Sequence, residues 1–221
     1  MRLHVRFISQ IDWVETLLVP DAGLQPDAQL EEHVALAIEG GARLIQYRDK
    51  SGNSHLRLKQ ARALAELCNR HSVPLIINDD AGLAADCGAA GVHLGEHDSD
   101  LASARTLLGD NARIGISCYN DFDLALQAQR KGADYIAFGS FFSSPTKPLA
   151  VQADNALLQR AKQELNIPVV AIGGITTDNG KLLIDAGADM LAVISALFAF
   201  RFVVDDAVFD FNLSCAKIAL E

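Results

Sequence analysis

Gln46, Arg48 and Lys50 alternate along the stretch Gln46-Tyr47-Arg48-Asp49-Lys50. In extended chain this alternation points all three the same way. Three donors, two of them cationic, then converge where an anion can sit. A surface salt-bridge cluster with Asp49 is the competing reading. Carboxylates gather at two later places, Asn78-Asp79-Asp80 and His93-Leu94-Gly95-Glu96-His97-Asp98. Such residues suit a magnesium ion held by one or two carboxylates plus phosphate oxygens. Helix capping by Asp80, and by Asp98 or Ser99, would explain one aspartate per turn but not the adjacent pair. His93 and His97 are also candidate metal ligands, although a hard-cation site prefers oxygen.

Further along, Gly115-Ile116-Ser117-Cys118-Tyr119 offers the Ser117 hydroxyl as an anion donor. No base stands beside Ser117 in sequence, so a serine nucleophile is not expected. The loop from Gly139 to Pro148 contains Ser144, Thr146 and Lys147, which reads as a phosphate cradle or as an ordinary proline-punctuated loop. Gly173-Gly174 follows one apolar run and Ile194-Ser195-Ala196 the next. Glycine lets backbone amides approach a phosphate closely, and a helix N-terminus completes such a site. The residues therefore suggest two anion sites, one of cations and carboxylates and one of backbone amides. Two phosphorylated substrates held face to face fit this better than one.

The elements that must position these groups alternate along the chain. Strands are expected at Trp13–Val19, Arg43–Tyr47, Leu75–Ile77, Gly91–Leu94, Arg113–Ser117, Asp134–Phe138, Pro168–Ile172 and Asp189–Ile194. Helices are expected at Leu30–Glu39, His55–His71, Ala81–Cys87, Leu101–Leu108, Asp121–Arg130, Asn155–Leu165 and Asp178–Asp185, with a last one from about Asp206. Gly41-Ala42-Arg43, Gly132-Ala133-Asp134 and Gly187-Ala188-Asp189 form an internal echo, each between a helix and a strand. Strict βα alternation implies a parallel sheet. Eight units in a chain of this length imply a single-domain (β/α)8 TIM barrel near the lower size limit, with an open doubly wound sheet as the alternative. In such a barrel every polar group named above falls at the carboxyl end of a strand, where barrels place their chemistry.

Composition narrows the function further. Half the residues are apolar, too many for a disordered chain. With 19 Lys and Arg against 28 Asp and Glu, the formal charge is −9, a poor basis for nucleic-acid binding. No apolar run is long enough to span a membrane, and no signal-peptide pattern is recognised at the N-terminus. Cys68, Cys87, Cys118 and Cys215 are scattered with no C-x-x-C pair, which reads as reduced thiols in a cytoplasmic protein.

These motifs, in this order, resemble the thiamine phosphate synthase family. The family's Gln-x-Arg-x-Lys matches Gln46, Arg48 and Lys50, and its Asn-Asp-Asp matches Asn78, Asp79 and Asp80. Its His-x-Gly-x-x-Asp matches His93, Gly95 and Asp98. Its Thr-x-Thr-Lys loop matches Ser144, Thr146 and Lys147, with Ser in place of the first Thr. Its Ile-Gly-Gly-Ile and Ile-Ser-Ala match Ile172–Ile175 and Ile194–Ala196, and the similarity runs from about Thr16 to about Phe198. Four features depart from the pattern. Glu96 stands where Gln is frequent, Tyr119 where His is frequent, and Pro20-Asp21 where the first strand usually ends in Thr-Asp. Residues 1–12 have no family counterpart and read as an N-terminal extension or an altered start.

The resemblance implies Mg2+-dependent coupling of 4-amino-2-methyl-5-hydroxymethylpyrimidine diphosphate to 4-methyl-5-(2-hydroxyethyl)thiazole phosphate, releasing pyrophosphate by a dissociative displacement. It assigns the metal to Asp79 and Asp98, the diphosphate to Arg48, Lys50, Ser117 and Lys147, and the pyrimidine side to Gln46 and Asn78. It gives the thiazole substrate to Ser144 and Thr146, and its phosphate to Gly174, Ile194 and Ser195 with neighbouring amides. It implies small-molecule partners only; barrels of this kind are often homodimers. Three rivals remain: a thiazole tautomerase-like barrel, which has no diphosphate to neutralise; a Schiff-base aldolase using Lys50 or Lys147; and a non-catalytic sensor of phosphorylated ligands.

Overall fold

Parallel strands alternate with helices throughout the computed structural model, which describes residues 15–19, 27–95, 98, 100–143, 151–176 and 178–193. The strands are β1 (Glu15–Val19), β2 (Leu44–Tyr47), β3 (Leu75–Asn78), β4 (Gly91–Leu94), β5 (Arg113–Tyr119), β6 (Tyr135–Gly139), β7 (Val169–Ile172) and β8 (Met190–Val193). The helices are α1 (Asp27–Glu39), α2 (Ser54–Arg70), α3 (Ala81–Cys87), α4 (Leu101–Leu108), α5 (Phe122–Arg130), α6 (Asn155–Glu164) and α7 (Gly180–Ala186). Each strand pairs in parallel with the next, and β8 also pairs with β1 through Thr16↔Ala192 and its neighbours. The fold is thus a parallel α/β fold of TIM-like barrel type. The expected extension at residues 1–12 and the expected helix from about Asp206 lie outside the described residues.

Two apolar clusters explain the alternation. The larger packs the outward side chains of the strands, such as Ile45, Ile77, Val92, Ile114, Phe138 and Leu191, against helix residues such as Val34, Leu64, Leu158 and Leu183. The smaller lies on the inner face of β6–β8 and comprises Tyr135, Ala137, Val170, Met190 and Ala192. Strands buried on both faces read as continuous apolar runs, as these do. The inner face of β2–β5 differs, since it carries Gln46, Asn78, His93 and Ser117. The ring therefore has a polar half and an apolar half.

Aspartates cap most of the helices. Asp80, Asp121 and Asp154 accept from the backbone amides of Leu83, Leu124 and Leu157, at 2.9, 3.0 and 2.9 Å. Asp100 accepts from Ala102 and Ser103 and caps α4, in place of the Asp98 or Ser99 that sequence offered. Each such cap is worth about 1 kcal/mol.

The Gly-Ala echo is a repeated helix ending. Gly41, Gly132 and Gly187 have φ of 110°, 92° and 116°, which side-chain-bearing residues rarely adopt. The amides of Ala42, Ala133 and Ala188 then reach back to Ala37, Ala128 and Leu183 carbonyls at 2.9–3.0 Å, the reversal that closes a helix. In the last two copies the following aspartate does more. Asp134 Oδ2 accepts from Ile114 N at 2.7 Å, and Asp189 Oδ2 from Val169 N at 2.9 Å. Each carboxylate thereby holds the amino-terminal end of the preceding strand.

Candidate active site

The carboxyl ends of β2, β3 and β4 bring the first group of residues together. Asp49 bonds within its own loop rather than to Arg48 or Lys50. It is buried and accepts from Ser51 N at 2.6 Å, Ser51 Oγ at 3.0 Å and Tyr47 Oη at 3.3 Å. The expected alternative of a salt-bridge cluster around Asp49 is thereby corrected. Lys50 instead donates to Asp79 Oδ2. Asp79 reaches this position because it adopts a left-handed backbone conformation, φ 66°, as the chain leaves β3. Its amide donates to the His93 carbonyl at 2.8 Å, which ties the turn to β4. Asp80, one residue on, faces the other way, capping α3 and pairing with Arg57 Nη2 at 2.9 Å. The adjacent aspartates thus divide their partners, Asp80 taking the helix end and Arg57 and Asp79 taking Lys50, while both line the same cleft.

Asp98 approaches from the β4–α4 connection. It accepts from Gly95 N at 2.6 Å and shares a hydrogen bond with Asp79. Burial works to raise the Asp79 pKa. Hydrogen bonds with Lys50 and Asp98, and the charges of Lys50 and Arg48, outweigh it and hold this carboxyl below its usual range. The Asp98 carboxyl is pushed the other way by burial and by the neighbouring Asp79, against the opposing pull of the Gly95 amide. Two carboxylates this close repel unless a proton or a cation lies between them. The pair therefore fits a hard divalent cation that completes its shell with ligand oxygens. No group of three or more His, Cys, Asp or Glu side chains gathers at metal-binding distance among the described residues, so two carboxylates are the described donor set. A cleft of about 360 Å3 opens here, lined by Lys50, Asn78, Asp79 and Arg57 among others.

His93 is not part of that pair. It lies buried on the inner face of β4, with both ring nitrogens taken by hydroxyls. Nδ1 is 3.0 Å from Tyr135 Oη and Nε2 is 2.9 Å from Ser117 Oγ. This corrects two expectations, the candidate role of His93 as a metal ligand and the absence of a base beside Ser117. Burial pulls the His93 pKa down to about 4, so the ring is neutral at physiological pH. Burial pushes the Tyr135 phenol up, so it keeps its proton, and Gln46 hydrogen-bonds to it. The two rings stack at 5.5 Å between centroids. Register explains the meeting, because Asn78↔His93, His93↔Gly115 and Gly115↔Tyr135 are successive partners on one face. Gly115 makes room, since a Cβ there would lie 2.0 Å from the Tyr135 ring. Strand parity carried the signal that His93, Ser117 and Tyr135 share a face. Their contact needed the ring of strands to curve.

At the β7 end, Gly173 and Gly174 have φ of 104° and 64°. A Cβ on Gly173 would lie 1.9 Å from Ser140 Oγ, and one on Gly174 would lie 2.7 Å from the Ser143 carbonyl. The pair is thus packed beneath the start of the β6–α6 connection. Asn179 holds the following turn, accepting from Thr176 N at 2.8 Å and donating to the Gly174 carbonyl at 3.0 Å. The expected site residues Ser144, Thr146, Lys147, Ile194 and Ser195 lie outside the described residues, as do Glu96 and His97. Cys68, Cys87 and Cys118 are free, and burial pushes the Cys68 and Cys118 thiols up to about 12, which keeps both from acting as thiolates. Lys50 is half exposed and ion-paired, the opposite of the desolvated setting that activates a Schiff-base lysine. Among the described residues no helix is long and apolar enough to cross a membrane.

Fold and site together define a TIM-like α/β protein that presents paired carboxylates and cations at the carboxyl ends of its strands. Residues 16–197 match the family model for thiamine monophosphate synthase. The chain is 54% identical over 183 residues to a thiamine-phosphate synthase of Nitrosococcus oceani, covering 83% of this chain and 84% of that one. It is 56% identical over 174 residues to a thiamine-phosphate synthase of Thiobacillus denitrificans, covering 78% and 82%. Among solved structures, a thiamine phosphate pyrophosphorylase from Pyrococcus furiosus superposes with a TM-score of 0.81 at 31% identity, over 92% of this chain and 96% of that one. The chain belongs to the thiamine monophosphate synthase family.

Proposed function

We propose that the protein is a Mg2+-dependent transferase that joins the pyrimidine methylene group of 4-amino-2-methyl-5-hydroxymethylpyrimidine diphosphate to the nitrogen of 4-methyl-5-(2-hydroxyethyl)thiazole phosphate. The products are thiamine phosphate and pyrophosphate. The observation that carries this reading is the convergence of Asp79, Asp98, Lys50 and Arg48 at three neighbouring strand ends. That combination neutralises a diphosphate, which a tautomerase acting on a thiazole monophosphate would not need.

Asp79 and Asp98 would hold Mg2+, and the chemistry it supplies there is charge neutralisation of the departing diphosphate. Arg48, Lys50 and Lys147 stabilise the same charge as the carbon–oxygen bond breaks and a pyrimidine methylene cation forms. Ser117 adds a neutral donor. Gln46 and Asn78 orient the pyrimidine side. Ser144 and Thr146 meet the thiazole substrate, and its phosphate takes the amides around Gly174, Ile194 and Ser195. The thiazole nitrogen then captures the cation. No general base is required, so charge stabilisation and positioning account for the rate. On this reading residues 1–221 form one domain, a complete (β/α)8 barrel with residues 1–12 as an extension. The protein works in the cytoplasm, as a homodimer, on small phosphorylated molecules and without nucleic acid.

The test is a two-substrate assay that detects pyrophosphate with and without Mg2+. Release requires both substrates and the metal. Release from the diphosphate alone, or equal rates without a divalent ion, would refute the proposal. A covalent lysine adduct trapped by borohydride would favour the aldolase instead.

A further inference from the structure

Lys50 stands between two residues that are bonded to each other. Ser51 N donates to Asp49 Oδ1 at 2.6 Å and Ser51 Oγ donates to Asp49 Oδ2 at 3.0 Å. One carboxylate thus grips both the backbone and the side chain of the residue two places on, across Lys50. Resting on the diphosphate reading above, we propose that Asp49 is a positioning residue that anchors the β2–α2 loop and so holds the Lys50 ammonium at the bound diphosphate.

The anchor reaches into fixed parts of the fold on both sides. Tyr47, at the end of β2, is 1% exposed. Its hydroxyl lies 3.3 Å from Asp49 Oδ2 and 2.6 Å from Oε1 of Gln60, a buried residue of α2. Downstream, Asn53 N donates to Ser51 Oγ at 3.3 Å, and Asn53 Oδ1 caps α2 by accepting from Leu56 N at 3.1 Å. The connection from strand to helix is therefore tied at its beginning, its middle and its end. Asp49 contributes to the wall of the cleft, yet both its oxygens accept from donors of this chain. Beside an anion site its charge opposes binding. Any favourable contribution has to come through its hydrogen bonds. Lysine carries a point charge on a long, flexible stem. Lys50 is half exposed, so its backbone places it more than packing around its side chain does. Where that backbone stands decides whether the ammonium reaches Asp79 and the ligand together. A loose loop would have to be ordered when the anion binds, and that ordering weakens affinity.

Calorimetry of the full chain with inorganic pyrophosphate and Mg2+ tests this. Asp49→Asn and Asp49→Ala remove the same charge, but only Asn keeps an oxygen for the Ser51 amide and a polar atom for the two hydroxyls. Asp49→Ala is expected to bind several-fold more weakly than Asp49→Asn. Lys50→Ala is expected to weaken binding by roughly tenfold or more, the usual size for a hydrogen bond between charged groups. In the Lys50→Ala background the difference between the two Asp49 variants should vanish. Equal affinities of the two variants, or a difference that persists without Lys50, would overturn the proposal. Hydrogen exchange gives a second reading without any ligand. The Ser51 amide is expected to be protected in the wild type and in Asp49→Asn, and to lose protection in Asp49→Ala. An unprotected wild-type amide would sink the anchor and leave the diphosphate reading untouched. If the wild type bound no pyrophosphate while this amide stayed protected, the diphosphate reading would fall, and with it the role assigned to Lys50.

Discussion

Burying His93 as a neutral ring has a cost that appears only in acid. The unfolded chain takes up a proton on this residue near its ordinary value of 6.5, whereas the folded protein resists until about 4. A group whose folded pKa is depressed contributes stability that is fully present above the unfolded value and lost as pH falls through the folded one. The gap corresponds to roughly 3 kcal/mol, at about 1.4 kcal/mol for each tenfold change in proton concentration. Folding stability is therefore expected to be independent of this residue above pH 6.5, to decline between 6.5 and 4, and to level off below. The assay is urea denaturation at closely spaced pH values for the wild type and for His93→Gln, which removes the titrating ring while keeping a polar side chain. The other histidines and the carboxylates titrate in both proteins and cancel in the difference. The wild type should lose about 3 kcal/mol more than the variant across the window. Parallel curves would refute the neutral, buried imidazole and the reasoning built on it.

Asp79→Ala is expected to lower turnover by orders of magnitude while circular dichroism shows the fold intact, because the loss falls on the metal clamp rather than on packing. An unchanged rate at limiting Mg2+ would remove Asp79 from that role. Arg48→Ala should weaken the pyrimidine diphosphate far more than the thiazole phosphate in equilibrium binding; equal losses would contradict the division into two anion sites. Gly115→Ala places a methyl 2.0 Å from the Tyr135 ring, so melting should report at least the ~1–3 kcal/mol typical of overpacking. A neutral outcome would mean the ring moves aside freely.

The alternation of strands and helices was legible because each element has a strong local cause: apolar runs for the strands, aspartates before the helices, Gly-Ala endings after them. The shifts were at ends. Strand β5 runs to Tyr119 rather than Ser117 because its pairing with β6 slips between those residues, an irregularity that no periodicity announces. Helix α7 starts at Gly180 rather than Asp178 because the Asn179 side chain is spent on the turn before it. The cluster of Lys50 with Asp79 and Asp98 was legible as motifs at strand ends. That Asp79 rather than Asp80 meets Lys50 and Asp98 goes with the left-handed backbone at Asp79. The meeting of His93 with Ser117 and Tyr135 was not legible, because parity assigns a side chain to a face but says nothing about its neighbours across the interior.

Asp134 and Asp189 tie down strand beginnings at the rim opposite the cleft. These strand ties and the candidate site are therefore anchored at opposite poles of one scaffold. Heat tolerance can be adjusted at the lower pole without disturbing the upper, and the upper can be rebuilt for another pair of reactants while the same lower stitching holds the cylinder together.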